Sequence, residues 1–393
     1  EVHQLVHDDE EAHIISCCVK GNLLFCGRTD AVISVWNLDH LQEQGQLVGH
    51  KRSVLCLKSA LYPATADGVP EEFLFSSSSD NTIKIWNLTK FQCVCTITGH
   101  PGDIYSLCLL DYLLCIGCQD TSIKVIDLKG VFQRIYESAE NESIVVKIQD
   151  TFAETLKAHN GYVYSLHISK GKHIISSSGD EMIMVWNVRD FVDGEQDQNV
   201  LAVKSRHYIP LQEKETKSEA ELIINTKAGA VFDVIADDHF IYSAAQNGSV
   251  QVWDIETGLL RRVLTGHGDE VLALTQTKNH VISSSSDGTL KVWTKSNFYC
   301  TQSMDIGHKN CLTVLTSTND SQPIFFSCLG NCVRIWALGD NSFEEEVLEE
   351  IEESPIVRSI QMKRSPAASG LRRSSSSVGS SLILAMRDPL ICA

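Results

Sequence analysis

No stretch of this sequence stays apolar for the roughly 20 residues that a helix needs to cross a bilayer; its apolar run Ser381–Met386 is far too short. The chain opens at Glu1 without a starting methionine and without a basic-then-apolar leader. It is therefore expected to begin inside a longer chain and to work in the cytoplasm, with the nucleus as the other compartment. Positive charge is in short supply: 33 Lys and Arg face 50 Asp and Glu, a formal net charge of −17. That balance disfavours broad contact with nucleic acid or an anionic membrane and fits protein partners. A phosphate-cradling Gly-x-x-x-x-Gly-Lys, a His-Glu-x-x-His and a Gly-x-Ser-x-Gly are all missing, so no catalytic chemistry is visible.

Cysteine is plentiful, with 14 residues, but it is spread through strand-like apolar stretches such as Ile15–Cys18 and Val94–Ile97. That distribution reads as buried thiols in a reducing compartment rather than a disulfide scaffold. At 393 residues the chain exceeds the roughly 250–300 residues at which one core stops growing, so it must split into domains or repeat a small unit. It repeats. All six tryptophans lie six residues after a turn position: Asp30 to Trp36, Asp80 to Trp86, Asp180 to Trp186, Asn247 to Trp253, Asp287 to Trp293 and Gly330 to Trp336. A seventh copy, Asp120 to Ile126, has isoleucine in place of tryptophan.

Residues 49–87 show the unit: Gly49-His50, the apolar stretch Ser53–Leu57, the serine-rich stretch Phe73–Ser78, the turn Asp80-Asn81, and alternating residues Thr82–Trp86. Short runs of period two bounded by Gly, Asp and Asn predict antiparallel strands and tight turns. On these residues nearly the whole chain resembles the WD-repeat family. The resemblance implies an all-β WD40 β-propeller, each repeat supplying the outer strand of one blade and three inner strands of the next. It also implies a structural hydrogen-bond network of His, Ser, Asp and Trp. Carried over, the network is complete in three alternate repeats: His50, Ser76, Asp80, Trp86; His159, Ser176, Asp180, Trp186; and His267, Ser283, Asp287, Trp293. Buried indole, imidazole and carboxylate groups each need a partner, and linked together they supply one another. Elsewhere Ile126, Asn247 and Gly330 break the pattern, and repeats one and five lack the Gly-His pair.

Seven blades are clear, over residues 1–353. Residues 1–7 echo Gly45–His50 and are expected to close the ring on the last blade, and Glu345–Ile351 to form the outer strand of blade seven. Residues 354–393 read either as an incomplete eighth blade, from Ile356–Met362 and Ser381–Met386, or as a loosely attached tail. Between these two strands, the Ser-rich segment 363–380 reads as a disordered loop, with Ser365 and Ser375 as candidate phosphorylation sites. Three intervals between strand endings exceed the 40 residues of Trp86 to Ile126 by ten residues or more. The extra residues fall at Leu61–Glu72 in blade two, Leu128–Asp150 in blade three and Arg189–Ala220 in blade four. Up-and-down connectivity brings all three to one face, the expected docking face for a partner.

Two phrases imitate chemistry. Gly266-His267-Gly268-Asp269 matches a zinc-exopeptidase phrase but falls at the repeat's own Gly-His turn, without a further ligand series. Cys115-Ile116-Gly117-Cys118 has redox or zinc spacing but occupies a strand and lacks a second pair. No catalytic or metal residue is assigned in this chain. Finally, Leu23–Gly27, Ser53–Leu57, Phe73–Ser76, Asp103–Leu107 and Gly117–Gln119 resemble the N-terminal propeller of fungal di-/tripeptidases of cytosolic glutathione catabolism. That resemblance implies a scaffold in a peptidase complex, a glutamine-amidotransferase-like partner, and zinc only in a C-terminal metallopeptidase half. The alternative is a regulatory adaptor such as a ubiquitin-ligase substrate receptor.

Overall fold

The computed structural model describes residues 3–6, 12–63, 70–138, 142–157, 159–169, 173–187, 220–306, 313–316 and 324–337. They form seven sheets arranged as blades, antiparallel but for one strand added in parallel at the edge of blade two. Blade one is made of Ile14–Lys20, Leu23–Arg28, Val32–Asn37 and Gln42–Val48, paired in that order. The first strands of successive blades, Ile14–Lys20, Val54–Pro63, Ile104–Leu110, Val163–Ser169, Val231–Ala236, Val271–Gln276 and Thr313–Thr316, stand side by side around the centre.

The turn chemistry explains why the acidic or amide position recurs. In each of six blades the residue after it has positive φ: Ala31, Asn81, Thr121, Glu181, Gly248 and Gly288. The turn side chain caps the amide two residues on, as in Thr82 N to Asp80 Oδ1 at 3.0 Å and Ser249 N to Asn247 Oδ1 at 3.0 Å. An amide oxygen accepts this bond as well as a carboxylate does, so Asn247 substitutes without loss of the turn. Blade seven departs. Leu329 pairs directly with Cys332, leaving a two-residue loop with Gly330 at φ 55°. Gly330 is therefore not an equivalent of the turn aspartate: counted from the serine side, this turn is shorter.

A second recurring feature is a register shift at the start of the first strand in blades one to six, for example between Val54 and Cys56 and between Ile104 and Ser106. Such a bulge sets one residue off the ladder and re-aims it. In blades three, four and five the residue set off is Tyr105, Tyr164 and Phe232.

Apolar side chains fill the gaps between blades. Trp86 packs with Leu74 of its own sheet and with Phe25, Ile33 and Val35 of blade one; each such side chain contributes about 2–3 kcal/mol by leaving water. The same packing joins last to first: Phe326, Cys328, Val333 and Ile335 of blade seven share a core with Ile14, Cys17, Leu24 and Cys26 of blade one. His3–Val6 pairs antiparallel with Cys332–Ala337, so the chain start supplies the outer strand of blade seven. That position is the one expected for Glu345–Ile351, which lies outside the described residues, as do the expected partial blade at 354–393 and both candidate phosphorylation sites. With blade seven packed on blade one, the ring closes at seven.

Candidate functional site

The three predicted networks assemble from the same parts. In blade two, His50 Nδ1 lies 2.9 Å from Asp80 Oδ2, His50 Nε2 lies 2.7 Å from Ser76 Oγ, and the Trp86 indole donates to Ser76 Oγ at 2.8 Å. The corresponding distances are 3.1, 2.8 and 3.2 Å for His159, Ser176, Asp180 and Trp186. They are 3.2, 2.8 and 2.9 Å for His267, Ser283, Asp287 and Trp293. The carboxylate fixes the tautomer: Nδ1 donates to Asp, Nε2 accepts from the serine hydroxyl, and that hydroxyl oxygen accepts from the indole. Each aspartate also accepts a turn amide, from Lys51, Asn160 or Gly268.

This order, Ser to His to Asp, is that of a hydrolytic triad. It cannot act as one. Ser76, Ser176 and Ser283 are fully buried, and each hydroxyl already serves an indole. No acyl carbon reaches such an oxygen. Burial alone would raise the Asp80 carboxyl, yet hydrogen bonds from His50, Thr82 and the Lys51 amide outweigh it and hold it well below the usual range. Burial lowers His267, against the pull of Asp287. His267 of the metal-like phrase spends both ring nitrogens here, on Asp287, Thr289 and Ser283.

The other repeats show what replaces the network. In blade three Lys124 takes the turn aspartate, bonding Asp120 Oδ2 and Ser122 Oγ at 2.7 Å each. His100 is left with a buried Nε2 lacking a partner, and burial together with Lys124 lowers its pKa to about 4. Trp253 and Trp336 keep a serine, Ser243 at 3.1 Å and Ser327 at 2.8 Å; repeat five has no Gly-His pair, and the Gly307-His308 pair of blade seven lies outside the described residues. In blade one Cys26 holds the serine position and the buried Trp36 Nε1 has no partner. Cys115 and Cys118 face opposite sides of their strand, Cys115 toward blade four and Cys118 toward blade two, so they form no pair.

The insertions of blades two and three build one structure. The first hairpin of blade two is lengthened, with Val54–Pro63 paired to Pro70–Ser78. The blade-three insertion forms the α-helix Lys129–Glu137 and then the strand Ile144–Lys147, which adds in parallel to the outer edge of blade two at Gln92–Thr98. Phe132 of the helix lies 4.4 Å from the Tyr62 ring and 5.0 Å from Phe73. Its i, i+4 partner Tyr136 stacks on it at 6.0 Å. Leu61 and Val145 remain exposed at the edge of this platform. Most of the blade-four insertion, residues 188–219, lies outside the described residues. On the opposite face the bulged residues meet: Tyr105 lies 5.7 Å from Tyr164, which lies 5.6 Å from Phe232. Sequence reading missed this rim, the platform contact and the inner clamp of Asp233, which accepts from Ser165 Oγ and Leu274 N at 2.7 Å each.

The model of the WD domain, G-beta repeat, matches residues 41–87, 91–127, 151–187 and 258–294, the segments that carry these networks and turns. The chain is a seven-bladed propeller of WD40 repeats. It is 30% identical over 117 residues to autophagy-related protein 16 of Arabidopsis thaliana, covering 29% of this chain and 23% of that one. To a DDB1- and CUL4-associated factor 11 homolog of Caenorhabditis briggsae it is 26% identical over 219 residues, 50% of this chain and 37% of that one. To a CCR4-associated factor 4 homolog of Candida glabrata it is 27% identical over 174 residues, 41% and 26% of the two chains. The WD40 matches thus span well under half of each relative. Among the described residues no helix is long and apolar enough to cross a membrane, and no three His, Cys, Asp or Glu side chains gather as metal ligands.

Proposed function

We propose that this chain is a non-catalytic protein-interaction propeller whose platform on blades two and three docks a partner. The observation that carries the reading is the Tyr62–Phe132 contact, which turns two insertions into one ordered surface. Long connections usually lie loose on a scaffold, and ordering them against each other costs entropy that the buried rings offset. The finer form of this reading makes the propeller the N-terminal part of a fungal di-/tripeptidase in cytosolic glutathione breakdown, docking a glutamine-amidotransferase-like subunit. Its support is the sequence resemblance of the strand phrases.

The aromatic rim of Tyr105, Tyr164 and Phe232 favours a second reading, an adaptor that takes a peptide at the channel mouth, as a ubiquitin-ligase substrate receptor would. One experiment separates them: partners recovered with the tagged wild type, with Leu61→Glu plus Val145→Lys, and with Tyr105→Ala plus Tyr164→Ala. Loss of the partner only in the first variant supports platform docking; loss only in the second supports the rim. An amidotransferase-like protein among the lost partners supports the glutathione reading. Peptide hydrolysis by the chain alone overturns the non-catalytic assignment.

A further inference from the structure

Three thiols meet where the ring closes. Cys17 stands on the first strand of blade one, opposite Cys26 on the second strand in direct register, with their sulfurs 3.7 Å apart. Cys328 reaches in from blade seven and places its sulfur 2.8 Å from that of Cys17. All three are buried and free, in one core shared by the first and last blades. The seam is held by packing, by the bond from Ile14 N to Gly330 O, and by the four-residue strand His3–Val6.

We propose that Cys17 and Cys328 form a reversible disulfide that locks the propeller closed under oxidising conditions. The sulfurs need about 0.8 Å of approach to reach the bond length of about 2.05 Å. With hydrogen peroxide as oxidant, the Cys17 sulfur attacks one peroxide oxygen, the O–O bond breaks, and sulfenic acid and water result. The Cys328 sulfur then attacks the sulfenic sulfur, the S–S bond forms, and the hydroxide leaves as a second water. Two thiols lose two electrons and two protons; the peroxide becomes two waters. Burial keeps the Cys17 thiol protonated, so the reaction waits on transient opening of the seam. Once formed, the bond spans nearly the whole ring and closes a very long loop, the case in which a crosslink removes most freedom from the unfolded chain.

The test is disulfide mapping by non-reducing digestion of the full chain after graded hydrogen peroxide, with the exposed Cys300 as the internal gauge of dose. The expected result is a Cys17–Cys328 crosslinked peptide that appears after Cys300 oxidises and vanishes with dithiothreitol. A gain in Tm of about 5 °C should accompany it. Cys26→Ala should keep the crosslink, whereas Cys328→Ala should abolish both crosslink and Tm gain. A Cys17–Cys26 disulfide in place of the seam bond, or free Cys17 and Cys328 at doses that fully oxidise Cys300, overturns the proposal. Mapping on the unaltered chain decides the matter even if a variant fails to fold.

Discussion

The Trp86 indole N–H donates to the Ser76 hydroxyl at 2.8 Å, the same hydroxyl that faces His50 Nε2 at 2.7 Å. One buried oxygen thus satisfies two neighbours. Ser76→Ala should orphan both and lower stability by about 2–4 kcal/mol, read from urea unfolding. A cost below about 1 kcal/mol would show that the two groups find other partners.

Blade one offers the converse. Cys26 occupies the serine position and the buried Trp36 N–H has no partner. Cys26→Ser should supply one and raise stability by about 0.5–1 kcal/mol. A clear loss instead would mean that the thiol's packing with Cys17 outweighs the new hydrogen bond.

Thr121 holds φ 68° in a turn where blades five and six use glycine. A β-branched residue is strained there. Thr121→Gly should therefore stabilise the fold by about 1 kcal/mol, although glycine gains freedom in the unfolded chain. The midpoint of denaturant unfolding measures it.

His100 titrates at about 4 in the folded chain because burial disfavours its cation, with Lys124 adding repulsion. Unfolded, it takes a proton near pH 6.5. The unfolded state therefore binds more protons between those values, and stability falls as pH drops from about 6.5 to 4, by about 3 kcal/mol. In His100→Gln that part of the slope should vanish from a pH series of unfolding midpoints.

Phe132 pins the helix Lys129–Glu137 to Tyr62 and Phe73. Phe132→Ala should cost the platform about 3 kcal/mol while sparing the ring. Hydrogen exchange checks it: amides of residues 129–137 and 144–147 should lose protection, and those of Val271–Gln276 should keep theirs.

Much of the propeller was legible because its signals are local. The six-residue step from turn to tryptophan reflects one hairpin, in which an Asp or Asn oxygen caps an amide two residues away. The networks were legible for the same reason: each polar group lies within one repeat, so copies of the pattern name its members. Blade seven misled the count from Trp336, since a shorter turn moves Gly330 without changing the hydrophobic order.

What the sequence by itself determined was the repeated strand, its turn and the buried polar chain inside three of the blades. Only the tertiary structure decided how repeats meet: that His3–Val6 takes the outer place in blade seven, that two insertions pack through Tyr62 and Phe132, and that Cys17 reaches Cys328 across 311 residues. The physical reason is separation. Bonds within a hairpin leave a spacing in the chain, whereas contacts between distant segments depend on how the ring closes and leave none.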